Sequence, residues 1–273
     1  MSPFDLTTLA NVKAWLGLPS PPTLSDATLS NLVTAASRAI YAALSRPALL
    51  PQTYNETIDL GSDRTYLRNW PVLQVTSVTL DGLLLPPASL ASNEPALGYL
   101  LQPGDTAPPG RPQALELFGR RYHRRRQSLV VTYEAGYAVQ SEIWTTPSAA
   151  PFTITASGPF GPWASDLGVV YAGSGLALQS VRAAPSTGQY SVTSGVYAFS
   201  SGDAGASLAI SYGFIPQDLV QAATEYAAER FRAADHIGLR SKSLGGQETI
   251  AYDVSGVSAS VEALIAPYKR TAF

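Results

Sequence analysis

The densest group of charged side chains lies in residues 118–137, FGRRYHRRRQSLVVTYEAGY. Five arginines and one histidine fall within residues 120–126, here called the arginine segment. The arginines are Arg120, Arg121, Arg124, Arg125 and Arg126. Guanidinium groups stay charged and pair with phosphates or carboxylates, so this segment is a candidate contact for DNA or for an acidic protein surface. A solvated turn is the third interpretation, because charge runs are commonly exposed.

The charge of the whole chain restricts these interpretations. The 273 residues carry a net charge of −2, so the chain outside the arginine segment is distinctly acidic. General nucleic-acid binders have basic residues across a whole face. We therefore expect any contact with a polyanion to be local.

Residue types suited to catalysis are scarce. The chain has no cysteine and two histidines, and it lacks HExxH, GxSxG and P-loop sequences. Arginines surround His123 and disfavour its protonation, while His236 follows Asp235 near the end of a predicted helix. We predict a protein that is not an enzyme and has no catalytic, cofactor or metal site.

Membrane and export signals are also lacking in the sequence. It has no run of 18 apolar residues, and MSPFDLTTLANVKAWLG lacks the basic start and apolar stretch of a signal peptide. We expect a soluble protein that is made in a cytoplasm.

Helical periodicity appears at both ends of the chain. Thr7 or Thr8 can cap a short helix that stops at Gly17, and Ser25 with Asp26 can begin a longer one. A third helix is predicted after Pro216, and a short one over SASVEALIA. The stripe of the second helix recurs every three or four residues and consists of Leu29, Leu32, Val33, Ala36, Ile40 and Leu44.

Between the helices the period changes to two, which predicts strands. Asp81-Gly82 is a hairpin signal, and the Pro-rich residues 83–112 read as an irregular excursion. The runs ALELF (114–118) and SLVVTY (128–133) flank the arginines. They predict a projecting hairpin with the arginine segment at its tip.

Residues 139–213 differ from the rest in composition. They contain no lysine and one arginine, Arg182, and short strand-like runs follow one another as in a small sandwich or barrel. Alternation favours core packing over base or sugar stacking for the aromatic residues of these runs. These residues are Tyr171, Tyr190, Tyr197, Phe199 and Tyr212.

The strand ends VVTYEAGYAV (130–139) and LAISYGFIPQ (208–217) resemble each other. This similarity suggests that residues 139–213 are a module inserted between a strand and the helix that follows it. The predicted fold class is therefore α+β: a helical core with a small antiparallel sheet or hairpin, plus an inserted all-β module. The predicted domains are 1–138 with 214–273 for the core and 139–213 for the insert.

Several short segments follow one another along the chain in a characteristic order. They are RNWPV, VTSV-LDG, TYEAGY, P-DL-A, ETIAYD and PYKR. Their serial order resembles the head–tail connector, or adaptor, proteins of tailed bacteriophages. The resemblance covers residues 6–82, 128–138 and 214–270, and residues 150–213 resemble a β-module of phage structural proteins. The long Pro-rich segment and the insert depart from the minimal adaptor pattern.

The resemblance implies a structural protein of the virion neck, assembled in the host cytoplasm. Such adaptors form a ring, commonly of twelve subunits, that docks on the portal, extends the DNA channel and receives the tail or next neck protein. An arm over residues 241–258 and the chain end would then contact neighbours. The candidate residues are Tyr252, Pro267, Tyr268, Lys269 and Arg270.

In such a ring the arginine segment could face the genomic DNA, an acidic portal or tail surface, or solvent. The near absence of positive charge in the insert predicts a place on the outer rim, away from DNA. The alternative function is a tail or baseplate protein that uses the insert to recognise a glycan or protein receptor.

Overall fold

The fold is described from a computed structural model, which describes residues 4–20, 22–88, 97–104, 107–119, 125–234, 241–244, 248–251 and 257–270. The chain divides into two compact units. Residues 1–47 and 217–270 form a helical unit, and residues 48–216 form a β unit.

The helical unit combines helices from both ends of the chain. They are α1 (Leu9–Leu16), α2 (Asp26–Leu44), α3 (Gln217–Ala233) and α4 (Ala259–Ile265). The hydroxyl of Thr8 accepts a hydrogen bond from the Asn11 amide, and Gly17 ends α1 at φ 68°. The predicted stripe of α2 is buried except for the half-buried Leu32, and eight of the 17 residues of α3 are buried.

Hydrogen bonds to hydroxyl groups hold the residues before α1 against the helices of the same unit. The Leu6 amide donates to Ser37 Oγ at 2.9 Å, and the Thr7 and Thr224 hydroxyl oxygens are 2.7 Å apart in the core. Lys13 Nζ lies 2.9 Å from Asp26 Oδ1 and links α1 to the start of α2. The Thr23 hydroxyl, followed by Lys13, holds the pKa of Asp26 below its usual value.

The β unit contains fourteen strands within the described residues. In chain order they are β1 (Gln52–Leu60), β2 (Arg64–Tyr66), β3 (Val72–Leu80), β4 (Leu83–Leu85), β5 (Gly98–Leu101), β6 (Ala114–Phe118), β7 (Arg125–Ala135), β8 (Ala138–Thr145), β9 (Thr153–Thr155), β10 (Trp163–Tyr171), β11 (Gln179–Ser180), β12 (Gln189–Thr193), β13 (Val196–Phe199) and β14 (Ser207–Phe214). A further pair in the helical unit, β15 (Ser241–Leu244) and β16 (Glu248–Ala251), is antiparallel.

Four sheets make up the β unit. Their strand orders are β1-β7-β3-β4, β2-β6-β5, β10-β14-β8 and β11-β12-β13-β9, here called sheets A, B, C and D. Sheets A and B share one core cluster, which includes Leu115, Val131 and Tyr133. Sheets C and D share another, which includes Tyr197 and Ile210.

The predicted fold class is wrong. Most of the regular secondary structure is β-strand, and the chain is not a helical core with an inserted β-module. Residues 52–135, which the sequence assigned to the core domain, themselves build sheets A and B. The error has a physical origin: β1 pairs with β7 from Gln52–Ala135 to Leu60–Arg125. Pairing over such a separation leaves no signal in the local period of either strand.

The Asp81-Gly82 hairpin is confirmed. β3 and β4 are antiparallel with Leu80 opposite Leu83, so the two residues between them form the whole turn. Both have positive φ, 49° at Asp81 and 82° at Gly82, as a type I′ turn requires.

Candidate partner interface

The arginine segment enters sheet A at one end. Arg120, Arg121 and Arg124 lie outside the described residues, as do both histidines. Arg125 begins β7 opposite Leu60, and the side chain of Arg126 is exposed. The next residue, Gln127, has φ 52°, and its amide donates to Asp59 Oδ1 at 2.8 Å. Asp59 thus fixes the backbone where the arginines meet the sheet.

The predicted projecting hairpin is not formed by the strands assigned to it. β6 pairs with β2 and β5 in sheet B, whereas β7 pairs with β1 and β3 in sheet A. The arginine segment therefore belongs to a connection between two sheets. Its role in binding a partner stays a prediction.

The β3–β4 turn lies beside the beginning of β7. The Asp81 amide donates to the Ser128 carbonyl at 2.8 Å, and Leu80 is paired with Leu129 on one side and Leu83 on the other. After the turn, the side chains of Leu83 and Leu84 are 48% and 66% exposed. Arginine and exposed leucine side chains therefore occupy the same end of sheet A.

The chain end, a second predicted contact, packs within its own unit. The side chain of Tyr268 is buried, and its hydroxyl donates to Asp218 Oδ2 at 2.9 Å. The Arg270 amide donates to the Leu44 carbonyl at 2.9 Å, and Lys269 pairs with Glu262. Tyr268 therefore has an intramolecular role that the sequence analysis missed.

The other members of the predicted C-terminal contact are distributed differently. Pro267 is exposed, Lys269 and Arg270 are partly buried, and Tyr252 lies outside the described residues. Contact of these residues with a neighbouring subunit stays a prediction.

Four buried or half-buried carboxylates that accept hydrogen bonds from tyrosine or serine hydroxyls form networks that were not predicted. In sheet A, the Tyr133 hydroxyl donates to Glu56 Oε1 at 2.6 Å, and Asn69 Nδ2 donates to the same oxygen at 2.8 Å. Burial, followed by the hydrogen bond to Glu56, raises the pKa of Tyr133. The network joins β1, β7 and the loop before β3.

Sheets C and D contain the other three networks. Tyr190 and Tyr197 donate to Asp166 at 2.6 and 3.2 Å. The Tyr171 hydroxyl donates to Asp203 at 2.5 Å, and Ser157 donates to Glu142. Carboxylates whose oxygens accept bonds from fixed neighbours act as structural crosslinks between strands and loops.

These bonds move the pKa values of the groups involved. Burial raises the pKa of Tyr190 and Tyr197, and Asp166 raises both further. Burial alone would raise the pKa of Glu142, but hydrogen bonds led by that of Ser157 outweigh it and lower the pKa. Glu142 and Asp166 are each the single acid of a strand that also contains a tryptophan, whereas Glu56 shares its strand with Asp59 and Asp203 lies outside the strands. The sequence therefore gives no common signal for these networks.

The aromatic residues singled out in the insert are mainly core residues. Tyr190, Tyr197, Phe199 and Tyr212 are buried, and Tyr171 is half-buried. This confirms the preference for packing over stacking on a ligand. Within the described part of the chain, no cluster of three His, Cys, Asp or Glu side chains could hold a metal ion, and no helix could span a membrane.

No protein-family model matches the chain, and no curated protein sequence matches it significantly. Among solved structures, it is similar to a chain in the neck of an empty GTA particle computed with C6 symmetry and to a chain in the virion of a native gene transfer agent (GTA) particle. Each match has 17% identity and a TM-score of 0.40 and covers 100% of this chain and 94% of the other.

Proposed function

We propose that this chain is a structural adaptor in the neck of a tailed phage or phage-like particle. The observation that carries the proposal is the serial order of RNWPV, VTSV-LDG, TYEAGY, P-DL-A and PYKR in one chain. No single motif of this set is specific. Their common order resembles the head–tail connector proteins.

The fold supports the proposal because the segments that carry the resemblance are grouped within each of the two units. The helices at the two ends of the chain pack as one unit, and VTSV-LDG and TYEAGY lie on the neighbouring strands β3 and β7 of sheet A. The two departures from the family pattern fall largely elsewhere, in β5 of sheet B and in sheets C and D.

In this function the chain forms a ring, proposed to have twelve subunits, between the portal and the tail or next neck protein. Contacts between successive subunits of a ring are heterologous and close by rotation. The chain supplies geometry and contact surface and catalyses no reaction. The virion neck is its proposed location.

The test is to image particles made with and without the protein. We expect an N-terminal label to appear at the head–tail junction, and particles lacking the protein to accumulate as DNA-filled heads without tails. Complete tailed particles in its absence would refute the adaptor role. A label at the distal tail would instead support the receptor-binding alternative, which no feature of the described residues favours.

A further inference from the structure

The first strand of sheet A is a long edge strand. β1 has nine residues, ends the strand order of its sheet, and pairs only with β7 among the strands that the structure describes. An edge strand presents unpaired amides and carbonyls, which can pair with a strand of another chain. Thr53, Asn55 and Thr57 are exposed along β1, and we call them the β1 edge.

Hydrogen bonds of β7 show which way the backbone of β1 points. The Ser128 carbonyl accepts from the Asp81 amide. The Gly136 amide donates to the Pro71 carbonyl. Even-numbered residues of β7 therefore face β3, and its odd-numbered residues face β1, where the register places even-numbered partners over residues 52–58. The amides and carbonyls of the β1 edge consequently point away from the sheet.

This edge lacks the usual protection against pairing. Natural edge strands are commonly protected by proline, lysine, a bulge or a charge that points inward. Residues 52–58 contain no proline or lysine and pair with β7 without a register shift. Their one charged side chain, Glu56, is already buried and accepts from Tyr133 and Asn69, so an added strand does not have to desolvate it.

The other edges of the described sheets are shorter or partly occupied. Edge strands β2, β4, β5, β9 and β11 have two to four residues each. At the outer side of β10, the Tyr171 amide donates to the Leu176 carbonyl and the Leu178 amide to the Val169 carbonyl, both at 2.9 Å. A register shift interrupts β8 within its pairing with β14. The β1 edge is therefore the longest regular edge in the described part of the chain.

The sequence of this edge is complementary to itself. In an antiparallel pair centred on Asn55, that residue lies opposite its own copy and Thr53 lies opposite the partner's Thr57. Thr–Thr pairs across strands are favourable. On the other face Tyr54 lies opposite the partner's Glu56, so no two like charges are directly opposed. Each of the three outward-facing pairs exchanges two backbone hydrogen bonds, about six in all.

We propose that the β1 edge pairs with the β1 edge of a second copy of this chain. The pairing joins two four-stranded sheets A into one continuous antiparallel sheet about a two-fold axis. Such a contact is isologous, whereas the contacts of the proposed ring are heterologous. The dimer is therefore a form of the free chain, and this inference does not rest on the proposed function.

The first test measures the mass of the full chain by sedimentation equilibrium from about 1 to 100 µM. We expect a reversible dimer. Asn55→Pro removes the central outward-facing amide from both copies and should weaken the dimer at least about tenfold. Proline is tolerated at such a position because the amide makes no bond within its own sheet.

The matched control is Thr145→Pro on β8. The Thr146 amide donates to the Ala206 carbonyl within sheet C, so the amide of the exposed Thr145 points outward. This variant should dimerise like the unmodified chain. Circular dichroism verifies that both proline variants are folded.

The second test traps the register without a proline. The chain has no cysteine, so an introduced thiol has no competitor. Asn55→Cys places two thiols on directly opposed residues, with Cα atoms about 5.5 Å apart, which a disulfide can span. Oxidation with copper phenanthroline should give a linked dimer on a non-reducing gel. Thr57→Cys is the control, because its two copies are four residues, or about 14 Å, apart.

A mixture of Thr53→Cys and Thr57→Cys chains should also become linked. A monomer across the whole concentration range, a dimer unchanged by a folded Asn55→Pro variant, or equal linkage of Asn55→Cys and Thr57→Cys would overturn the proposal. Linkage of Asn55→Cys to a different neck protein, with no linked copies of this chain, would assign the edge to that protein instead.

These results are separate from the particle test above. A dimer with the expected register and no label at the neck would support this inference and refute the adaptor role. A labelled neck together with a chain that stays monomeric would do the reverse.

Discussion

Tyrosine hydroxyls hold carboxylates in place across the β unit, and the Glu56–Tyr133 pair shows what one such bond contributes. Glu56 is buried at 8% exposure and accepts from Tyr133, Asn69 and the Arg68 amide. Removing one donor leaves a buried carboxylate with fewer hydrogen-bond partners. The resulting loss of folding stability is larger than the net contribution of one ordinary hydrogen bond.

We therefore expect Tyr133→Phe to lower the free energy of unfolding by about 1–3 kcal/mol. Tyr66→Phe is the control, because Tyr66 is 42% exposed and should change stability by less than about 0.5 kcal/mol. Urea titration followed by circular dichroism measures both. Equal effects of the two variants would show that the buried hydrogen bond from Tyr133 to Glu56 contributes no more to stability than the exposed hydroxyl of Tyr66.

The same tyrosines predict how stability changes at alkaline pH. Burial, reinforced by Asp166, raises the pKa of Tyr190 and Tyr197 in the folded protein above the ordinary value of 10.0. Their contribution is fully present below pH 10 and is lost as pH rises through the folded pKa, because the unfolded chain ionises first. We expect part of the tyrosine absorbance change to coincide with unfolding. Ionisation of every tyrosine near pH 10 in a still folded protein would contradict this.

At the scale of elements, the TYEAGY motif has a steric reason for its glycine. Gly136 has φ 150°, and a Cβ there would lie 2.4 Å from the Pro51 nitrogen. We expect Gly136→Ala to destabilise the protein by more than about 2 kcal/mol in thermal or urea unfolding. Gly61→Ala is the matched control, since its Cβ would meet no atom within 4 Å. A mild effect at Gly136 would mean that the chain before β1 moves away easily.

The position of the insert leads to a prediction about its removal from the chain. Ala138 pairs with Gly213, and the Phe214 amide donates to the Tyr137 carbonyl at 3.2 Å, so the ends of residues 139–213 meet. Replacing 139–212 by Asn-Gly would join Ala138 to Gly213 with a two-residue turn. We expect the shortened chain to unfold cooperatively by circular dichroism. The absence of a cooperative transition would refute the predicted domain boundary.

Local elements could be predicted from the sequence, and strand partners could not. The stripe of α2 and the Asp81-Gly82 turn depend on neighbours a few residues away, so their patterns are visible in the chain. The pairing of β7 with β1 and β3, and of β6 with β2 and β5, depends on register between distant segments. For the same reason the prediction of a hairpin with the arginine segment at its tip was wrong, and no sequence pattern indicated the hydrogen bond from Tyr268 to Asp218.

At the scale of the whole molecule, the acidic chain concentrates its positive charge where sheets A and B are connected. In the proposed ring, every subunit presents the arginine segment at an equivalent position, so a local charge becomes an annulus. If this annulus docks onto a carboxylate-bearing neck partner, reversing its charge opposes attachment of that partner. Packaging of DNA precedes this step in the proposed role and should continue.

We therefore expect particles with Arg124→Glu, Arg125→Glu and Arg126→Glu together to contain DNA-filled heads without tails. Electron microscopy counts the tailless heads, and nuclease protection measures the retained DNA. Tailed particles that lose or eject DNA abnormally would instead indicate that the arginines face the genome. Normal assembly with normal DNA retention would leave the arginine segment as a solvated connection, because neither partner would then depend on its charge.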